Sequence, residues 1–196
     1  LSIVQARKEI NLFAERMRRM FGMLKDLLHE ANENEFNKLF SRIEKYENIS
    51  DNMELEIANY LNKVTEGRLS SESKLEIRGM LREVTEIESI GDSCYNLART
   101  INRKRSGGSD FTEKQYEHIH QMMQLTDDAL AHMIAIVEDD HHVVDVNKSF
   151  NIENEINNYR AQLKNQNVVD VNNKEYDYQM GVHYMDIIGE CEKLGD

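Results

Sequence analysis

The chain has 196 residues with no proline and no tryptophan, and is 40% hydrophobic and 31% charged. Proline breaks helix interiors, so its absence favours long uninterrupted helices around an apolar core. Its 24 basic against 36 acidic residues give a net charge of -12, a field that repels phosphate backbones and excludes nucleic acid as an expected partner.

Two cysteines, Cys94 and Cys191, are too few for a disulfide framework and too isolated for a zinc site, and they fit a reduced, cytosolic setting. No apolar run approaches the roughly 20 residues that span a bilayer. Nor is there a signal peptide: Arg7, Lys8 and Glu9 sit within an amphipathic pattern that is already under way near Leu1. That start suggests a piece of something longer.

Periodicity predicts six helices, near 2–32, 35–66, 71–104, 112–140, 145–165 and 173–196. In the first, Ile10, Phe13, Met17, Leu24, Leu27 and Leu28 form one apolar face. Breakers at Glu33 to Glu35 separate it from the second, which ends toward Gly67, a residue suited to a helix C-terminus. Ser70 or Ser71 is placed to cap the third helix. After it, Arg103, Lys104 and Arg105 lead into Gly107–Gly108 and read as a basic, solvated linker. Thr112 is placed to cap the fourth helix, whose face is Ile119, Met123, Leu130, Met133, Ile134 and Val137. Breaks near Asp139 to Val144 and Asn165 to Asn173 bound the fifth and open the sixth. Methionines such as Met17, Met20, Met23, Met122 and Met123 are expected to fill the core.

The helices repeat. A displacement of 106 carries Phe13 onto Ile119, Met17 onto Met123, Leu24 onto Leu130, Leu28 onto Ile134, Glu47 onto Glu153 and Asp51 onto Asn157. In the third helix the displacement is 104, which carries Leu81 onto Met185, Val84 onto Ile188, Ile90 onto Leu194, Gly91 onto Gly195 and Asp92 onto Asp196. Apolar residues align by accident; charged motifs and a glycine in one frame do not. The expected fold is therefore all-α, an up-and-down bundle of two tandem three-helix units, 1–105 and 111–196, with a linker at 106–110. The third helix stays apolar past its motif through Leu97, Ala98 and Ile101, so the second unit is expected to be truncated in its last helix.

Glu-x-x-x-Asp occurs at Glu47–Asp51, Glu88–Asp92 and Glu192–Asp196, and the fourth repeat slot reads Glu153–Asn157. Residues four apart share a helix face, where two acids repel unless a cation intervenes. The Gly67–Ser71 turn lies midway between the first two motifs, and the Asn172–Lys174 region midway between the last two. In antiparallel hairpins each pair meets at one height. The expected sites are Glu47, Asp51, Glu88 and Asp92 on one patch, and Glu153, Asn157, Glu192 and Asp196 on the other. Crowded carboxylates there are expected to hold protons more tightly than usual. All-oxygen clusters suit Mg²⁺, Ca²⁺ or ferric iron. A solvated acidic face is the alternative; Glu72–Glu76 and Glu113–Glu117 show how readily such pairs arise.

The segments Glu88-Ser-Ile-Gly-Asp92 and Glu192-Lys-Leu-Gly-Asp196 resemble the E-R-I-G-D-type signature of PhoU proteins. Glu47-Asn-Ile-Ser-Asp51 and Glu153-Asn-Glu-Ile-Asn157 resemble its companion motif on the preceding helix. The resemblance implies paired three-helix bundles, some of which hold multinuclear metal clusters at these motifs, and a role regulating phosphate uptake. Gln5 to Ile10, with Ala14 and Met17, look more like the kind fused behind the membrane part of bacterial sodium/phosphate cotransporters than the free-standing regulator. On that reading the chain works at the cytoplasmic face of the inner membrane, its partner is the transporter membrane domain of the same polypeptide, a second copy of the chain is a further candidate, and no reaction is catalysed. Ser89 and Lys193 depart from the signature's arginine-type slot, and Asn157 replaces an acid.

Glu117–His120 and Glu138–His141 match the Glu-x-x-His pattern of di-iron bundles. Both fall on one predicted helix, 21 residues or about 31 Å apart, so one dinuclear centre cannot use both. No glycine-rich phosphate loop or nucleophile elbow is present.

Overall fold

A computed structural model describes residues 3–67, 69–138 and 146–195. Among these residues there are six α-helices and no strand, as the periodicity predicts: α1 (Ile3–His29), α2 (Glu33–Thr65), α3 (Ser71–Ser106), α4 (Glu113–Glu138), α5 (Val146–Asn172) and α6 (Tyr178–Gly195). Side-chain caps set several starts. Asn32 accepts from the Glu35 N–H at 3.0 Å and Ser70 from the Ser73 N–H at 3.1 Å. Thr112 and Gln115 form a reciprocal capping box at the start of α4, at 3.1 and 2.9 Å.

The predicted break after residue 165 does not occur; α5 runs on to Asn172. The Asn/Gln-rich stretch contains neither glycine nor proline, and asparagine costs a helix less than about 1 kcal/mol. Its polar groups pair along the helix instead, as where Gln166 donates to Asp170 at 2.9 Å. The chain turns at Lys174, which has φ 60°, and Asp177 caps α6 by accepting from the Met180 N–H at 2.8 Å.

Within each half every helix packs on the other two, and the halves join through α1 on α4 and α3 on α6, which leaves α2 and α5 on the outside. Equivalent helices therefore meet equivalent helices, with one continuous apolar core between them. Phe13, Met17 and Leu24 and their displaced partners Ile119, Met123 and Leu130 are all buried there. Met20, Met23 and Met122 join them in the core. The Arg18 guanidinium grips the Asp127 carboxylate through two hydrogen bonds across the α1–α4 seam, at 3.2 and 3.1 Å.

The basic run at the end of α3 is not the solvated linker its composition suggests. Arg105 donates to the carbonyls of Glu30 and Ala31, at 2.6 and 2.9 Å, and lies over the Phe36 ring. These carbonyls follow the end of α1 and have no intrahelical donor, so Arg105 closes the α1–α2 turn. Lys104 pairs with Asp110 at 2.6 Å and sits over Phe111. Arg105→Ala is expected to lower stability by about 1–2 kcal/mol in a chemical denaturation experiment, because it removes two hydrogen bonds and the packing on Phe36. A loss as small as that of an exposed arginine would contradict the role. Among the described residues no helix is long and apolar enough to cross a membrane.

Candidate functional site: a carboxylate cluster between α2 and α3

The two helices approach closely where the motifs sit. A Cβ at Gly91 would lie 2.8 Å from Ser50 Oγ and 3.1 Å from Met17 Sδ, so only glycine leaves room for this crossing. Ser50 is fully buried against it. The sequence neighbours of this contact, Asp51 and Asp92, are thereby carried side by side at the exposed edge of the same seam. The repeat reuses the device: a Cβ at Gly195 would meet Ile156 Cδ1 at 2.5 Å, and Ile156 stands at the displaced position of Ser50.

In the first half the expected residues come together. One carboxylate oxygen each from Asp51, Glu88 and Asp92 lie within 4.8 Å of one another. Burial raises the Glu88 pKa to about 8, helped by hydrogen bonding to Asp51 and by the charge of Asp92. Glu47 rises to about 7, first through burial and then through the charges of Asp92 and Asp51; Arg99 opposes the shift. These two groups hold protons near neutral pH because burial, and then the neighbouring acids, disfavour their charged forms.

Glu54 is a fifth member that motif reading did not single out. Burial, Asp51 and Asp92 raise its pKa, in that order. Its signal was available: it lies three residues past Asp51 and seven past Glu47, on the same face of α2.

The second half is built differently. Glu153 and Asn157 are exposed, and Glu192 is ion-paired to Arg160 Nε at 3.5 Å. Arg160 occupies the displaced position of Glu54, so a guanidinium stands where the first half has a carboxylate. Asp196 lies outside the described residues. Three oxygens no more than 4.8 Å apart are close enough to share one hard cation bound at about 2.4 Å. The first-half set therefore fits an oxygen-preferring cation, while the second half supplies its own counter-charge.

The Glu-x-x-His residues are engaged elsewhere. A ring nitrogen of His120 meets that of His29 across the two halves, and the Glu138 carboxyl shares a hydrogen bond with Glu15 that raises its pKa. His141 lies outside the described residues.

The PhoU domain family matches residues 10–101. That span runs from α1 into the last turns of α3 and contains Glu47, Asp51, Glu54, Glu88 and Asp92. The PhoU match thus falls on the half whose carboxylates converge. Among curated proteins none matches the chain.

Proposed function

We propose that this chain is a regulatory module of phosphate transport whose first-half carboxylates take an oxygen-preferring cation such as Mg²⁺, Mn²⁺ or ferric iron. The observation that carries the reading is the convergence of Asp51, Glu88 and Asp92 within the PhoU match. Asp51, Glu88 and Asp92 would ligate directly; Glu47 and Glu54 would take up water ligands or a second ion. Binding a cation would discharge the protons held on Glu88 and Glu47 and draw α2 and α3 together at one height. That is a change of charge and shape that a neighbouring domain can read, and it needs no catalysed reaction.

We further propose that the neighbouring domain is the membrane part of a sodium/phosphate cotransporter, as the opening residues Gln5 to Ile10 suggest. Deleting the segment that encodes this chain should alter phosphate uptake, or its feedback by external phosphate, while the remaining transporter stays inserted. Asp92→Asn in the intact protein should reproduce the altered feedback. Uptake and feedback unchanged by both would overturn the regulatory reading. A parent gene without apolar spans of about 20 residues would instead favour a free-standing regulator.

A further inference from the structure

The second half carries a cleft that the first half barely has. It lies between α4 and α5, encloses about 800 Å³, and is floored by Tyr184. Displacing the frame back by 106 brings Gln115, Gln162, Leu163 and Gln166 onto Glu9, Glu56, Ile57 and Tyr60, which line a crease of only about 250 Å³. The widening has a local cause. Leu61 is fully buried on α2, whereas its displaced counterpart on α5 is Asn167, which is only half-buried and accepts from the Tyr176 hydroxyl at 2.5 Å. An apolar seat between helices has become a polar wall.

We propose that this cleft binds a small organic cation, an amine that also carries hydroxyl or carbonyl oxygens. Its volume lies in the range of small-molecule sites. Among the described residues, four carboxylates, Glu113, Glu117, Asp170 and Glu175, line it against one lysine, Lys114, and one histidine, His118, so anionic ligands are disfavoured and an ammonium is favoured. Tyr159, Tyr176 and Tyr184 supply aromatic surface within it. Burial raises the pKa of all three phenols, and the charges of Glu117 on Tyr159 and of Asp170 on Tyr176 and Tyr184 add to it. Oxygens on the ligand match the amides of the wall: Gln162 and Gln166 are exposed and line the cleft, while Gln115, 2% exposed, is already held by the Thr112 N–H at its Oε1 and by Tyr176. None of these groups belongs to the acidic cluster, so the inference stands apart from the proposed function.

Three sugars of one ring shape and different charge separate the possibilities: glucosamine, glucose and glucose 6-phosphate, titrated into the whole chain near pH 6.5 and followed by calorimetry and tyrosine fluorescence. Glucosamine is expected to bind at least about tenfold more tightly than glucose, and glucose 6-phosphate not at all. Asp170→Asn and Glu117→Gln should each weaken glucosamine by about tenfold with unchanged melting curves, whereas Asp92→Asn should leave it unaltered. Equal binding of glucosamine and glucose would overturn the proposal. So would binding indifferent to both cleft variants, or no glucosamine binding at millimolar concentration.

Discussion

Saturating Mn²⁺ or Mg²⁺ is expected to raise the melting temperature of the chain by about 5–10 °C, and Glu88→Gln to remove most of that gain. A ligand at a hundred times its dissociation constant stabilises by about 2.7 kcal/mol, and each kcal/mol moves the midpoint of a chain this size by about 2–4 °C. The pH dependence follows from the direction of the shifts. Glu88 and Glu47 have folded pKa values of about 8 and 7, above the ordinary value of 4.5. The folded state thus holds protons that the unfolded state releases. The cluster's contribution to metal-free stability should fall as pH rises from about 4.5 to about 8, then level off. His29, whose pKa is lowered chiefly by burial, pulls the other way below its ordinary value of 6.5, so the clean quantity is the difference between wild type and variant. Without metal, Glu88→Gln should gain on wild type between pH 5 and pH 8; with metal at pH 8 it should fall behind. Equal melting of the two proteins under all three conditions would leave the acids as a solvated surface.

The second large effect concerns the glycine seam. Gly91→Ala gains about 1 kcal/mol of helix propensity but forces a Cβ to within 2.8 Å of Ser50 Oγ, and such overpacking costs about 1–3 kcal/mol. We expect a net loss. Ser50→Ala alone should be neutral or stabilising by about 1 kcal/mol, because it removes a buried hydroxyl with no hydrogen-bond partner. Combined, the two should recover most of the Gly91→Ala loss, since the Cβ of residue 50 lies 3.5 Å away and only the flexible Met17 Sδ, at 3.1 Å, must still give way. A coupling energy above about 0.5 kcal/mol in the double-mutant cycle is the predicted signature; additive effects would mean that the helices do not cross at this point.

Much of this was legible in the residues. A 3.6-residue apolar period placed the helices, and the 106-then-104 frame set Gly91 and Gly195 at equivalent positions; that each receives a side chain from the preceding helix became visible only in the fold. The convergence of Glu47, Asp51, Glu88 and Asp92 was readable because hairpin symmetry fixes height and Glu-x-x-x-Asp fixes face. Glu54 was missed because a pattern of four does not look at three. Arg160 was missed because the repeat was searched for likeness, and its meaning lies in a reversal of charge at one slot. The end of α5 was misplaced because Asn and Gln read as loop formers by composition, while their side chains can pair along a helix. Arg105 shows the same limit: a basic run near glycines reads as solvated until the open carbonyls of another helix are known.

The most direct test is a crystal structure of the chain grown with Mn²⁺ and measured for anomalous scattering. A peak within about 2.0–2.6 Å of oxygens from Asp51, Glu88 and Asp92, with none beside Arg160, is the predicted result. A peak beside Glu192 and Arg160 instead, or an occupied lattice site elsewhere with the first-half carboxylates bare, would contradict it.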